Sequence, residues 1–284
     1  MDFWLIQIFN GVSYGALLFL VASGLSLIFG VMRIVNLSHG SYFLLGGYVA
    51  LSVIWTTGSW ALAIPVAGLA IAVVGLLVER VFLRPLGATP LRQVLLTVGF
   101  AFLFQQAALD IWGGDNLDIA PPDALTRSVT AGGLYFPLYR VFMIGLAAAI
   151  GVSLWLVMER TRLGAAVRAT VDDAQMAAGV GIDTSRISML VFALGAFLAA
   201  VGGVIGGAFL GIYPGLDFEI LPIAFAVVII GGMGSLTGAA IGSVVVGLAD
   251  NFGKALFPEI SYFTLYAPMV LILAVKPTGL FGRG

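Results

Sequence analysis

Residues 159–186 read ERTRLGAAVRATVDDAQMAAGVGIDTSR, a polar island between two apolar runs at 139–158 and 187–210. Each run is long enough to cross the ~30 Å hydrocarbon core of a bilayer. The island is therefore a loop outside the membrane, joined at both ends to membrane-spanning helix. It holds eight charged residues: Glu159, Arg160, Arg162, Arg168, Asp172, Asp173, Asp183 and Arg186. Within it, Thr170-Val171-Asp172-Asp173 predicts a helix cap and an acidic first turn. Ala174, Met176, Ala177 and Ala178 predict a short helix of small residues over 171–178, which Gly179 and Gly181 end. A bare connection between spans needs about a quarter of this length. The surplus reads as a structured element for a partner outside the membrane to grip; the alternative is an amphipathic loop lying on the headgroups.

Outward from the island the same pattern recurs. Apolar residues make up 61% of the chain and charged residues 10%, against roughly 45–50% and 25% in soluble domains. The fold class is all-α, a polytopic integral membrane helical bundle forming a single transmembrane domain over 1–284. Its apolar runs are continuous, which excludes the alternating strands of a membrane barrel. Nine runs can be drawn, at 3–30, 38–56, 60–78, 93–112, 139–158, 187–211, 219–233, 236–253 and 262–276. The segment near 219–240 is short and glycine-ended, so it reads as broken or re-entrant, which makes eight or nine spans. Met1-Asp2-Phe3 carries no basic residue, so the first run reads as a span and not as a cleaved signal peptide.

Lysine and arginine positions set the direction. With the N-terminus outside, ten of the thirteen fall on the cytoplasmic side: Arg33, Arg80, Arg84, Arg92, Arg160, Arg162, Arg168, Arg186, Lys276 and Arg283. Arg127, Arg140 and Lys254 remain outside. The island is thus cytoplasmic, while the loop at 113–138, with Asp115, Asp118 and Asp123, is external. That loop reads either as solvated chain or as a docking surface for an extracellular partner. A net charge of −1 gives no reason to expect nucleic acid.

Polar residues within the apolar runs point to a pathway. Asn10, Ser13, Tyr14, Ser23 and Ser26 turn one face of the first run toward protein or a polar cavity. Asn36-Leu37-Ser38-His39-Gly40 precedes the second run, and Ser38 or Asn36 is a candidate cap. His39 is the single histidine, and a capping or packing role suits it better than proton handling. In the sixth run Gly202 and Gly206, Gly203 and Gly207, and Gly207 and Gly211 stand four apart, a packing signal. Gly231-Gly232-Met233-Gly234-Ser235 would break a helix, and broken backbone at membrane depth must be covered by protein or line a cavity. Pro214, Asp217, Glu219 and Pro222 suggest the outer mouth of such a cavity; Asp250 faces either the interior or the interface. The candidate pathway residues are Asn10, Asn36, Ser38, His39, Gly231, Gly232, Gly234 and Ser235.

Chemistry is conspicuously thin. One histidine and no cysteine leave too few ligands for an intramembrane metal site, and no catalytic set is read. The middles of the nine runs carry no ionisable group, against the habit of ion-coupled carriers. Gly253-Lys254-Ala255 is the nearest approach to a phosphate loop, but Leu248 stands where its first glycine should be and no Ser or Thr follows the lysine. These absences argue for energy supplied from elsewhere, and ATP hydrolysis, if it drives the process, must occur on a separate subunit. The rival from another class is a passive channel of glycine-rich helices.

The chain resembles the LivH-type permeases of branched-chain amino-acid ABC importers, within the broader group that includes ribose and urea permeases. The resemblance is carried by Phe9-Asn10-Gly11-Val12, Asn36-Leu37-Ser38-His39-Gly40, Glu79-Arg80-Val81 with Arg84-Pro85-Leu86, Arg168-Ala169 with 173–182, Gly231 to Ser235 with Gly238, and Pro277-Thr278-Gly279-Leu280-Phe281-Gly282. Ser38 departs from it, since many relatives have alanine there. The resemblance implies a non-enzymatic subunit of the bacterial inner membrane, surrounded by lipid and binding no cofactor itself. It implies a second, LivM-type permease, two ABC ATPase subunits that use the ATP, and a periplasmic substrate-binding protein. It also implies that 172–182 is the coupling helix, with Asp172, Asp173, Ala174, Met176, Ala177, Ala178, Gly179 and Gly181 as its docking residues. Urea, short amides and small aromatic acids are the alternative solutes.

Overall fold

The computed structural model describes residues 2–87 and 89–282. A helix of fifteen residues or more lies at each of the nine expected positions. They are α1 (Asp2–Met32), α2 (His39–Thr57), α3 (Trp60–Leu77), α4 (Pro90–Trp112), α5 (Leu138–Arg160), α8 (Thr184–Leu210), α9 (Leu216–Gly231), α10 (Leu236–Leu256) and α11 (Ser261–Val275). Among the described residues, seven helical stretches are long and apolar enough to cross a membrane; α2 and α9 fall outside that set. Between α5 and α8 the polar island forms α6 (Arg162–Asp172) and α7 (Ala174–Gly179). A two-stranded hairpin, β1 (Ser128–Ala131) and β2 (Leu134–Pro137), stands in the 113–138 loop. Gly132 and Gly133 make its turn with φ of 58° and 81°, the left-handed pair such a tight connection demands.

α1, α2 and α8 form the centre, with Leu17, Leu18, Leu20, Tyr42, Phe43 and Phe192 fully enclosed. Glycines let these helices touch backbone to backbone. A Cβ on Gly203 would lie 1.9 Å from the Phe43 carbonyl oxygen, so the spaced glycines of α8 do pack helices, against α2. Gly24 of α1 and Gly195 of α8 meet reciprocally: a Cβ on either would lie under 3.0 Å from the other's carbonyl oxygen.

That reciprocal contact marks an approximate two-fold axis. Exchanging α1 with α8, α2 with α9, α3 with α10 and α4 with α11 preserves most neighbour relations. α1 packs along α10 as α8 packs along α3; α2 and α3 pair as α9 and α10 do; α4 leans on α2 as α11 leans on α9. The α10–α11 contact has a weaker match, because a π-helical turn at Val78–Leu83 intervenes between α3 and α4. The halves run in opposite directions, an inverted repeat with α5–α7 inserted between them.

The repeat revises the depth expected for two motifs. His39 Nε2–H donates to the carbonyl oxygen of Val21 at 3.0 Å. Val21 lies eleven residues before the end of α1, about 16 Å along a helix. The chain therefore turns back at Arg33 and climbs along α1, so α2 starts near mid-depth and not at the surface. Its counterpart follows α8. Ile212 lies level with Gly47 of α2, whereas the backbone of Asp217 abuts Gly40, seven residues or about 10 Å lower. Asp217 is thus no outer mouth; it starts a short helix deep in the protein. The chain re-enters at 211–215 and breaks within the expected 219–240 at Gly232–Ser235, with α9 continuous between the two.

Candidate functional site

Two places combine exposure or burial with chemistry. The first is the junction where α2 and α9 begin, side by side and antiparallel. Asn36 holds the incoming turn: its Oδ1 accepts from the Ser38 amide at 3.1 Å and from the Ser38 hydroxyl at 2.8 Å. Leu37 N–H donates to Thr97 Oγ1 of α4 at 3.2 Å. Ser38 occupies the cap position of α2 yet gives no side-chain bond to the helix, and Gly215 does the same for α9. Across the junction Ser41 Oγ donates to Asp217 Oδ2 at 2.8 Å. Asn36, Ser38, His39, Ser41 and Asp217 are all buried. Asn36 Nδ2, His39 Nδ1, Tyr48 Oη and Asp217 Oδ1 have no hydrogen-bond partner among the described residues. Beside the junction runs an apolar groove of about 470 Å³, lined by Leu37, Ala101, Phe218, Leu221 and Phe225 among others.

The expected pathway residues divide among three levels. Asn36, Ser38 and His39 belong to the junction. Asn10 lies at the far end, where its Oδ1 accepts from Arg140, whose guanidinium sits 5.1 Å from the centre of the Phe209 ring. Gly231, Gly232, Gly234 and Ser235 form the tight turn between α9 and α10 at the opposite end. There Ser235 caps α10 through Gly238 N–H, 3.0 Å away. The terminal segment fills the space beside Gly232: Leu280 N–H donates to the Ile230 carbonyl and Phe281 N–H to the Gly231 carbonyl, both at 2.9 Å. Gly30 of α1 closes on Gly234. This glycine group is packed against the protein's own main chain. Asp250 faces inward, 5% exposed, and pairs with Lys254 at 2.7 Å. Ser41, Tyr48 and the burial of Asp217 were missed by sequence reasoning; Ser41 and Tyr48 stand seven apart, a helical spacing that placed them on one face.

The second place is the island. α6 is amphipathic, with Gly164, Val167 and Thr170 turned inward over a patch that includes Met158, Ile187 and Val191. The expected cap at Thr170 is not there: its hydroxyl donates to the Ala166 carbonyl within α6. Asp173 breaks the helix instead, and its Oδ1 accepts from the amides of Gln175 and Met176, both at 2.9 Å, to start α7. Gly181, at φ 91°, ends the turn. Met176 and Val180 stand 66% and 71% exposed, while Ala177 is buried at 3%. Ala177 therefore seats α7 on the body, and Met176, Ala178, Gly179 and Val180 form the outward face. Arg33, the residue after α1, reaches the Val171 carbonyl at 3.4 Å, tying the end of α1 to this element.

The model of the family described as "Branched-chain amino acid transport system / permease component" matches residues 7–273. The chain belongs to this family. It is 31% identical, over 99% of its length and 96% of the relative's, to the high-affinity branched-chain amino acid transport system permease protein LivH of Escherichia coli (strain K12). It is 29% identical, with the same coverage, to the permease protein BraD of Pseudomonas aeruginosa. Similarity extends to the permease protein LivM of Salmonella typhimurium, 28% identical over 90% of this chain and 66% of that one. No solved structure gives a significant match. Two motifs by which the family was recognised, Gly231 to Ser235 and Pro277 to Gly282, turn out to be a single contact.

Proposed function

We propose that this chain is a permease subunit of an ABC importer for branched-chain amino acids in a bacterial inner membrane, without catalytic activity or a bound cofactor of its own. Separate ATPases drive it, a periplasmic binding protein feeds it, and a LivM-type permease stands beside it. The observation that carries the reading is end-to-end similarity to LivH and BraD, both named as permease proteins of high-affinity branched-chain amino acid transport systems. The island supplies a means of coupling. α7 is a six-residue knob capped by Asp173, with an adaptable methionine and small residues on its outer face. A cleft on an ATPase can grip it, and the tie from Arg33 to Val171 passes the motion to α1.

Ala178→Arg and Met176→Arg place bulk and charge on the exposed face without touching the core. In vesicles holding the complete transporter, both should leave the chain inserted while abolishing ATP-driven uptake of leucine. Uptake at the normal rate in both variants would refute the coupling assignment. Absence of leucine uptake by the unaltered transporter would refute the solute assignment.

A further inference from the structure

Asp217 is a buried carboxylate at mid-depth. Asp217 enters none of the ion pairs Arg168–Glu159, Arg186–Asp183 and Lys254–Asp250. Ser41 donates to one of its oxygens; the main chain at Gly215, Asp217 and Phe218 lies around the carboxyl, and Oδ1 makes no well-formed hydrogen bond among the described residues. A charge left this way inside a membrane protein is costly, and such residues mark ion or solute paths.

A second unpaired atom lies near the first. Tyr48 follows Ser41 by two helical turns on the same face, and helical side chains lean back toward the N-terminus. Its hydroxyl is a fully buried donor without an acceptor. Donor and acceptor approach one junction without bonding each other. The start of α2, which has no side-chain cap, adjoins this pair with a positive dipole end; the first amides of α9 bond Tyr213 and Gly215 and face the Asp217 carboxyl. Phe218 and Leu221, next along α9 from Asp217, lead from this polar spot into the apolar groove.

We infer that this junction is a mid-membrane station for an α-amino acid, an inference that rests on the proposed function. The free oxygen of Asp217 takes the solute's ammonium group. The uncapped amides of α2, with the Tyr48 hydroxyl, take its carboxylate, and the groove receives an aliphatic side chain. The inverted repeat puts the station where the two halves meet, as in secondary transporters built from such repeats. Gly40 closes it: with a hydrogen for a side chain, it allows α2 to rest on the backbone of Asp217.

The test uses the complete transporter in vesicles and reads leucine imported per ATP hydrolysed. Asp217→Asn keeps the shape and the bond from Ser41 but removes the charge. It should lower that ratio about tenfold or more, the usual loss for a charged hydrogen bond, and Asp217→Glu should recover part of it. Tyr48→Phe removes a hydroxyl that bonds no atom of the described residues. It should leave the melting temperature unchanged or higher while lowering the ratio several-fold, a split that a purely structural tyrosine would not produce. Wild-type ratios in both Asp217→Asn and Tyr48→Phe would overturn the station. So would a sodium or proton dependence of wild-type uptake that vanishes in Asp217→Asn, since Asp217 would then hold an inorganic cation. An unaltered transporter that imports no amino acid would count against the proposed function instead.

Discussion

Gly40 shows how much depends on one missing methyl group. A Cβ there would lie 2.4 Å from the Asp217 carbonyl oxygen and 3.1 Å from Leu221 Cβ, and both are parts of a helix that cannot swing aside. Gly40→Ala should force α2 from α9 and cost about 1–3 kcal/mol, as overpacking does, seen as a lower melting temperature in detergent; an unchanged value would show that the junction yields freely. Gly234 carries a double constraint, with φ of 83° and the Gly30 backbone 3.0 Å from where a Cβ would be. Gly234→Leu should block uptake and lower stability together, measured as transport and thermal unfolding of the same preparation. Glycine spacing announced close packing in the sequence, but not the partner. Nothing in Asn36 to Gly40 or around Asp217 shows that they touch, since 176 positions separate Ser41 from Asp217.

Among the elements, helices were legible and their depth was not. A long apolar run states its own solvent, so nine positions could be drawn from hydropathy alone. A polar pentapeptide such as Asn36 to Gly40 reads as a loop at the water boundary. It lies inside because Asn36, Thr97 and the Val21 carbonyl take over the hydrogen bonds that water would supply. The break within the island was misplaced for a related reason. Thr170 and Asp173 both look like caps, and only the backbone decides which has extended dihedrals; Asp173 does, at φ −153° and ψ 102°. A helix as short as α7 has little stability of its own, so Asp173→Ala should cost about 1 kcal/mol and fray the knob. ATP hydrolysis should then continue with less uptake, and Asp173→Ser should restore the ratio; an unaltered ratio in the alanine variant would remove α7 from the coupling path.

At the scale of the whole molecule, the C-terminal segment belongs to the wall and is not a tail. Its two amide bonds to Ile230 and Gly231 and the packing of Leu280 hold the end of α9. Ending the chain after Lys276 should therefore cost about 1–3 kcal/mol, visible as reduced protein in the membrane and a lower melting temperature. Full accumulation of the shortened chain would mean that α9 is held elsewhere. Family membership was legible from scattered motifs, but their logic appears only in three dimensions, where distant stretches prove to be two sides of one contact. The reciprocal meeting of Gly24 and Gly195 has a mechanical consequence. It offers a fulcrum: two long helices that meet there through bare backbone can rock about that point without prising side chains apart.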